Sequence, residues 1–170
     1  MTSATLSLGS SGSFDFFQSR IGMTQCETLQ LGSPFDFRAQ AKLVLPKDMP
    51  DPTENATEFG KRTAAMVRKY VEQTDGHAFV LLTSYAAMRN LAKELAPWLA
   101  ARPQGLYSPA DGLPRHQMLE RFKANPRAVL LGTDSFWQGV DVPGEALTNV
   151  IITKLPFAVP DQPLVEARLE

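Results

Sequence analysis

One cysteine and two histidines in 170 residues leave no material for a disulfide framework or a thiolate cluster within the chain. A lone Cys26 suits a reducing compartment. His77 and His116 stand far from each other and from Cys26, so no metal-ligand spacing arises and no metal site is expected. Seventeen Lys+Arg against 18 Asp+Glu give a net charge of −1, so no excess of one sign announces a nucleic-acid or membrane partner. Apolar runs stay far short of the ~20 residues a membrane span needs. The N-terminus lacks the basic-then-apolar pattern of a leader, and the expected location is the cytoplasm. The remainder is ordinary: 44% apolar and 21% charged residues describe a soluble globular chain, long enough for one domain with a real core.

The first 32 residues read differently from the rest. Thr2 to Leu6 resembles the end of a strand entering a Ser/Gly loop, and residues 14–21 a short helix closed by Gly22. This stretch has too little apolar surface to fold alone and reads as the tail of something upstream, or an arm. From Ser33 strands and helices alternate, the pattern of βαβ units and a largely parallel sheet. A short strand is expected at 41–45. A helix should follow, capped by Asp51 ahead of Pro52, with Ala56, Phe59, Thr63, Met66 and Tyr70 inward and Lys61, Arg62, Arg68 and Lys69 on a solvated face. Residues 77–82 read as a buried strand leading to a helix capped by Ser84, which Pro97 should stop near Ala96. A weak strand at 105–107 and a helix from Pro114 to Asn125-Pro126 come next. Buried strands at 128–131 and 149–153 flank a loop with one helical turn, and a last helix is still running at Glu170.

In an open α/β sheet, ligands sit at the carboxyl ends of the strands. Two places there carry chemistry. Thr83-Ser84 offers short hydroxyl donors at a helix N-terminus, a corner that suits phosphate oxygens or merely caps the helix. The loop Gly132-Thr133-Asp134-Ser135-Phe136-Trp137-Gln138-Gly139-Val140-Asp141-Val142-Pro143-Gly144 gathers glycines, hydroxyls, Gln138 and two aspartates after a buried strand. Its glycines let backbone approach a ligand closely, and Asp141 can accept from a ribose hydroxyl or orient a cation. Phe136 and Trp137 read as core plugs.

These residues carry a resemblance. Thr133-Asp134-x-x-x-x-Gly139-Val140-Asp141 resembles motif V of superfamily 2 helicases, and residues 135–144 resemble its DinG/XPD-like branch. Phe79 to Tyr85 is similar to motif IV, Thr2 to Leu6 to motif III of the first motor lobe, and Ser33 to Phe37 with Gln40 to the entry of the second. Arg115 and Phe122 fit the spacing these motors use before motif V. The resemblance implies a RecA-like three-layer α/β/α lobe, residues 33–170, preceded by residues 1–32 from the first lobe. It implies part of an ATP-dependent DNA helicase moving 5′ to 3′ on single-stranded DNA, a class that serves DNA repair. Thr83, Ser84, Thr133 and Arg115 would then meet the DNA strand. Gly139 and Asp141 would face ATP and its Mg²⁺, shared with the first lobe, and Gln138 would couple the two sites.

The parts that perform phosphoryl transfer are not in these residues. No G-x-x-x-x-G-K-[ST] cradle occurs, and Gly60-Lys61-Arg62-Thr63 lacks the upstream glycine and lies in a predicted helix. No Asp-Glu pair follows an apolar strand, and the family's Gln-x-x-Gly-Arg-x-x-Arg motif VI is missing, expected beyond Glu170. The family's iron–sulfur cysteines belong to the first lobe of the parent protein, and Cys26 cannot replace them. The 170-residue chain alone is therefore expected not to hydrolyse ATP. The alternatives are a stand-alone nucleic-acid-binding or protein-interaction module built on the same lobe and, less supported without a cradle, a small P-loop phosphotransferase.

Overall fold

Two apolar runs in the middle of the chain become the two central strands of a sheet. The computed structural model describes residues 1–3, 6–7, 12–23, 25–125, 127–157 and 167. By contacts it divides into Met1–Pro46 and Lys47–Glu170, so residues 33–46, read above with the second lobe, group with the first unit.

In the first unit, α1 (Asp15–Ile21) ends as expected at Gly22, whose φ of 69° satisfies the helix C-terminus through a bond to the Gln18 carbonyl. Asp36 caps the single turn of α2 (Phe37–Gln40) by accepting from the Arg38 and Ala39 N–H groups. The strand expected at 41–45 is not formed. Leu43 and Leu45 are exposed, and without a partner strand an extended segment has no ladder to join. The strand expected at Thr2 to Leu6 falls partly outside the described residues, and Thr2, Ser3 and Leu6 lie in no strand. The last expected helix lies almost entirely outside them. Cys26 is exposed, with its sulfur 3.1 Å from Gln18 Nε2.

The second unit is the expected three-layer α/β/α arrangement. Helix α3 (Ala56–Gln73) leads to β1 (Ala78–Leu81), α4 (Tyr85–Ala100), β2 (Leu106–Tyr107), α5 (Arg115–Ala124), β3 (Val129–Gly132) and β4 (Asn149–Ile152). The sheet order is β2-β3-β1-β4 and every pairing is parallel. Strands β1 and β3 are buried on both faces, as continuous apolar runs must be in a covered parallel sheet. One face packs Ala78, Val80, Val129 and Leu131 against Ala64, Val67 and Val71 of α3 and Met88, Leu91, Leu95 and Leu99 of α4. The other packs Phe79, Leu81 and Leu130 against Met118 and Phe122 of α5 and against Phe136.

Four local expectations are corrected. Asp51 does not cap α3. Its carboxylate closes a turn onto Thr53 and Glu54, and Asn55 caps the helix through the Glu58 N–H. The buried face of α3 is Thr63, Ala64, Val67 and Val71, rotated by one residue from the expected one, because the smaller side chains let the helix sit close to the sheet while Met66 and Tyr70 flank it. Helix α4 runs through Pro97 to Ala100. Pro97 is exposed, and the last turn is held by buried Leu99, by Arg102 stacked 4.5 Å over Trp98, and by the 2.6 Å Arg102–Glu72 ion pair. Strand β4 is not buried throughout. Asn149 and Ile151 face α3 and α4, while Val150 and Ile152 are about half exposed. On the basic face of α3, Arg68 also reaches α4, donating to the Glu94 carbonyl. Gly60-Lys61-Arg62-Thr63 lies inside α3, where the backbone N–H groups serve the helix. No described helix is long and apolar enough to cross a membrane.

Candidate functional site

A parallel sheet has two unlike edges, and here their chemistry differs. At the amino edge, polar groups satisfy one another. Asp75 pairs with Arg127 at 3.0 Å and accepts from Gln104 at 2.7 Å, and His77 Nδ1 contacts the Glu145 carbonyl. At the carboxyl edge, small hydroxyl residues recur: Thr83 lies two residues past β1, Thr133 directly follows β3, and Thr153 directly follows β4.

The first corner is Leu82-Thr83-Ser84. Ser84 has extended backbone and accepts from the Ala87 N–H at 3.2 Å, so it caps α4 as the sequence suggests. Its carbonyl takes the Met88 N–H at 3.1 Å, closing the first turn. The remaining N–H groups of that turn have no intrahelical acceptor and point where an anion would sit. Thr83 is half-buried beside them, and Ser84 and Tyr85 are exposed.

The second element is the loop after β3. Asp134–Phe136 forms one 3-10 turn, with the Phe136 N–H on the Thr133 carbonyl at 2.7 Å. Gly132 is required by close approach: a Cβ there would lie 2.6 Å from Phe136 Cβ. Phe136 is thereby pressed onto the strand end at 4% exposure. Gly139 has a φ of 65°, the left-handed conformation that bends the chain back. Half-buried Val140 and Val142 pin the far side of the loop to the α5-side core, leaving Asp134, Ser135, Gln138, Gly139 and Asp141 exposed.

Thr133 and Arg115 are placed differently from the others. Thr133 is only 2% exposed, so this edge presents Ser135 and the neighbouring backbone instead of its hydroxyl. Arg115, the first residue of α5, turns its Nη2 onto the Gln138 carbonyl at 3.2 Å and the Gly139 carbonyl at 2.7 Å, with its guanidinium 5.6 Å above the Phe136 ring. Its visible partner is the loop. Between the two corners lies a concavity of about 330 Å³, lined by Tyr85, Pro109, Leu113, Arg115, Ser135 and Phe136 among others.

Sequence reasoning missed Thr153 and Lys154. Thr153 donates both its backbone N–H and its hydroxyl to the Leu81 carbonyl, each at 3.1 Å, and Lys154 stands exposed beside it. The signal was present in the repeated apolar-then-Thr strand ends. Lys154 also acts on Asp51. The Thr53 hydroxyl and backbone N–H are the main causes that hold the Asp51 carboxyl below its usual range, and the Lys154 charge adds a smaller part.

Taken together, this edge offers hydroxyls, a helix N-terminus, one lysine and backbone groups: donors for phosphate oxygens. Among the described residues no three His, Cys, Asp or Glu side chains come together as a metal cluster would need.

Residues 67–170 match the family described as Helicase C-terminal domain. The chain is 41% identical over 169 residues to ATP-dependent DNA helicase YoaA of Escherichia coli, covering 99% of this chain and 25% of that protein. It is 33% identical over 178 residues to 3'-5' exonuclease DinG of Bacillus subtilis, covering 100% and 18%. To ATP-dependent helicase DinG of Mycobacterium tuberculosis it is 32% identical over 173 residues, covering 99% and 25%. The chain thus spans a quarter or less of the length of these relatives.

Proposed function

The chain belongs to the Helicase C-terminal domain family, of the DinG and YoaA type, and from that premise we propose that it serves as the second motor lobe of an ATP-dependent DNA helicase. The observation that carries the proposal is the pairing, on one sheet edge, of a phosphate-type corner at Thr83-Ser84 with the exposed loop 134–141. Single-stranded DNA would run along the first, held at its phosphates by Ser84, Thr83 and the α4 N-terminus, with Lys154 adding charge at the same edge. Buried Thr133 would act by shaping the strand end, and Arg115 by shaping the loop.

ATP would lie against Gly139 and Asp141. Exposed Asp141 and Gln138 and the bent backbone at Gly139 fit one side of a nucleotide. The donor set lacks a cradle for the phosphates and a carboxylate cluster for Mg²⁺ among the described residues. ATP with Mg²⁺ is therefore proposed to be shared with a first lobe, which also supplies the attacking-water chemistry. This chain's residues contribute orientation: Asp141 accepts hydrogen bonds from the nucleotide, and the loop reports its presence to the strand-binding corner. Movement 5′ to 3′, a role in DNA repair, a cytoplasmic location and an iron–sulfur cluster held elsewhere in the parent protein complete the reading, each resting on the resemblance.

The test uses the full-length gene product. DNA-stimulated ATP hydrolysis and unwinding of a 5′-tailed duplex are expected, with Asp141→Ala impairing turnover and the 170-residue chain alone showing none. Steady turnover by the chain alone, or a full-length protein indifferent to single-stranded DNA, would overturn it.

A further inference from the structure

The loop that would face the nucleotide is tied to the corner that would face the strand by one of its own inward-turned side chains. Trp137 follows the 3-10 turn, and its indole N–H donates to the Leu82 carbonyl at 3.2 Å. Leu82 immediately precedes Thr83, and its own N–H is already paired with the Gly132 carbonyl at 2.8 Å. The indole thus supplies the donor for the last carbonyl of the β1 run before the corner, where the backbone ladder has ended. On the opposite side, Arg115 holds the Gln138 and Gly139 carbonyls. Residues 138 and 139 are therefore fixed from two directions, by β1 through Trp137 and by α5 through Arg115.

A hydrogen bond at this length has little slack before it weakens. Displacement of the Thr83-Ser84 corner along β1 must either break the indole bond or carry residue 137, and with it 138 to 141. Gln138 is less suited to this task. Its side chain is exposed and makes no hydrogen bond to a described residue, and its carbonyl is what Arg115 uses. Resting on the function proposed above, we infer that Trp137 is the positioning residue through which DNA contact at Thr83-Ser84 is transmitted to the nucleotide-facing loop, with Arg115 as its opposing anchor. Trp137 touches neither ligand in this reading. It acts through Leu82 on one side and Gln138 on the other.

The experiment compares full-length wild type with Trp137→Phe, which keeps an aromatic ring against the core while removing the indole N–H together with the five-membered ring that carries it. Three quantities are read: ATP turnover without DNA, turnover with saturating oligo(dT), and oligo(dT) affinity by fluorescence anisotropy. The ratio of stimulated to basal turnover should fall about 3- to 10-fold, the equivalent of one net hydrogen bond. Basal turnover and oligo(dT) affinity should hold, while the thermal midpoint should fall by a few degrees because the Leu82 carbonyl loses its donor and some packing is lost. In a cycle with Ser84→Ala, the two losses of stimulation should be less than additive, as for members of one linkage. An undiminished ratio in Trp137→Phe overturns the inference, as does an equal loss of basal and stimulated turnover, which is what a merely structural bond would give. A wild type with no DNA stimulation overturns the underlying function as well, so the two failures are distinguishable. Should Trp137→Phe not fold, Arg115→Ala carries the test: it removes the guanidinium that holds both carbonyls, the stimulation ratio should again fall, and an unchanged ratio refutes the linkage.

Discussion

Replacing Gly132 with alanine probes the packing that sets the loop after β3. The added Cβ would lie 2.6 Å from Phe136 Cβ, 2.9 Å from its Cγ and 3.4 Å from Leu81 Cδ2. The nearest atom is a Cβ fixed to its own backbone, so no flexible tip can swing away. Gly132 itself is registered against Leu81 in the sheet and cannot retreat without disturbing β1. Phe136 must therefore move outward and take the 3-10 turn with it. Overpacking of this kind costs about 1–3 kcal/mol, and the stiffer unfolded chain returns roughly 0.4–1 kcal/mol, for a net loss of about 1–2 kcal/mol. At roughly 2–4 °C per kcal/mol for a chain of this size, the thermal midpoint should drop by about 2–8 °C. Thermal melting followed by circular dichroism measures the midpoint, and urea unfolding the free energy, with an unchanged slope expected. Gly60→Ala is the matched comparison: it lies within α3 with nothing within 4 Å of the added methyl, and should gain about 0.5–1 kcal/mol. A Gly132→Ala protein as stable as wild type would refute the reasoning.

Three further outcomes are expected. Ser84→Ala should lose about 1 kcal/mol with the α4 cap, whereas Ser84→Asp should keep the cap yet weaken oligo(dT) binding by repelling phosphate; anisotropy and unfolding together separate the two effects. Pro97→Ala should stabilise by about 1–3 kcal/mol in denaturant melts, since it restores an N–H inside a formed helix at an exposed position. Asp51 should titrate by NMR below the ordinary value of 3.8, and Thr53→Val should move its midpoint up. Because its folded pKa is depressed, its contribution to stability is present above that ordinary value and disappears as pH falls through the folded one.

Strands β1 and β3 were legible because residues buried on both faces must all be apolar, a requirement that Phe79 to Leu82 and Ala128 to Leu131 meet without regard to neighbours. The Ser84 cap and the Asn125 stop were legible because both are satisfied within their own helices. The errors share a different physics. Asp51 and Asn55 both offer capping side chains, and local pattern cannot choose between them. The inward face of α3 depends on how closely a sheet approaches, and the passage of α4 through Pro97 on the burial of Leu99 in the core, with the Arg102 contacts to Trp98 and Glu72 adding to it. The apolar run at 41–45 met no partner strand. At the site, Thr83, Ser84, Gln138, Gly139 and Asp141 could be named from the sequence because they follow the apolar runs of β1 and β3, and all but half-buried Thr83 are exposed. The burial of Thr133, the turning of Arg115 onto loop carbonyls and the bond from Trp137 to Leu82 could not be, because each is a contact between segments far apart in the chain.

The strand order has a consequence for how the protein is made. One of the two central strands, β1, is the first of the four to leave the ribosome, yet Ala78 finds its two neighbours only in Val129 and Asn149. Until β3 emerges, Phe79 to Leu82 has no ladder to enter, and α3 and α4 have only part of a sheet to pack on. Folding of this lobe is governed by non-local pairing, the slow regime for small domains, and its most apolar segment waits exposed through the synthesis of the residues between. A nascent chain stalled before residue 129 should be sensitive to protease and drawn to chaperones; one stalled with β4 outside the exit tunnel should be protected.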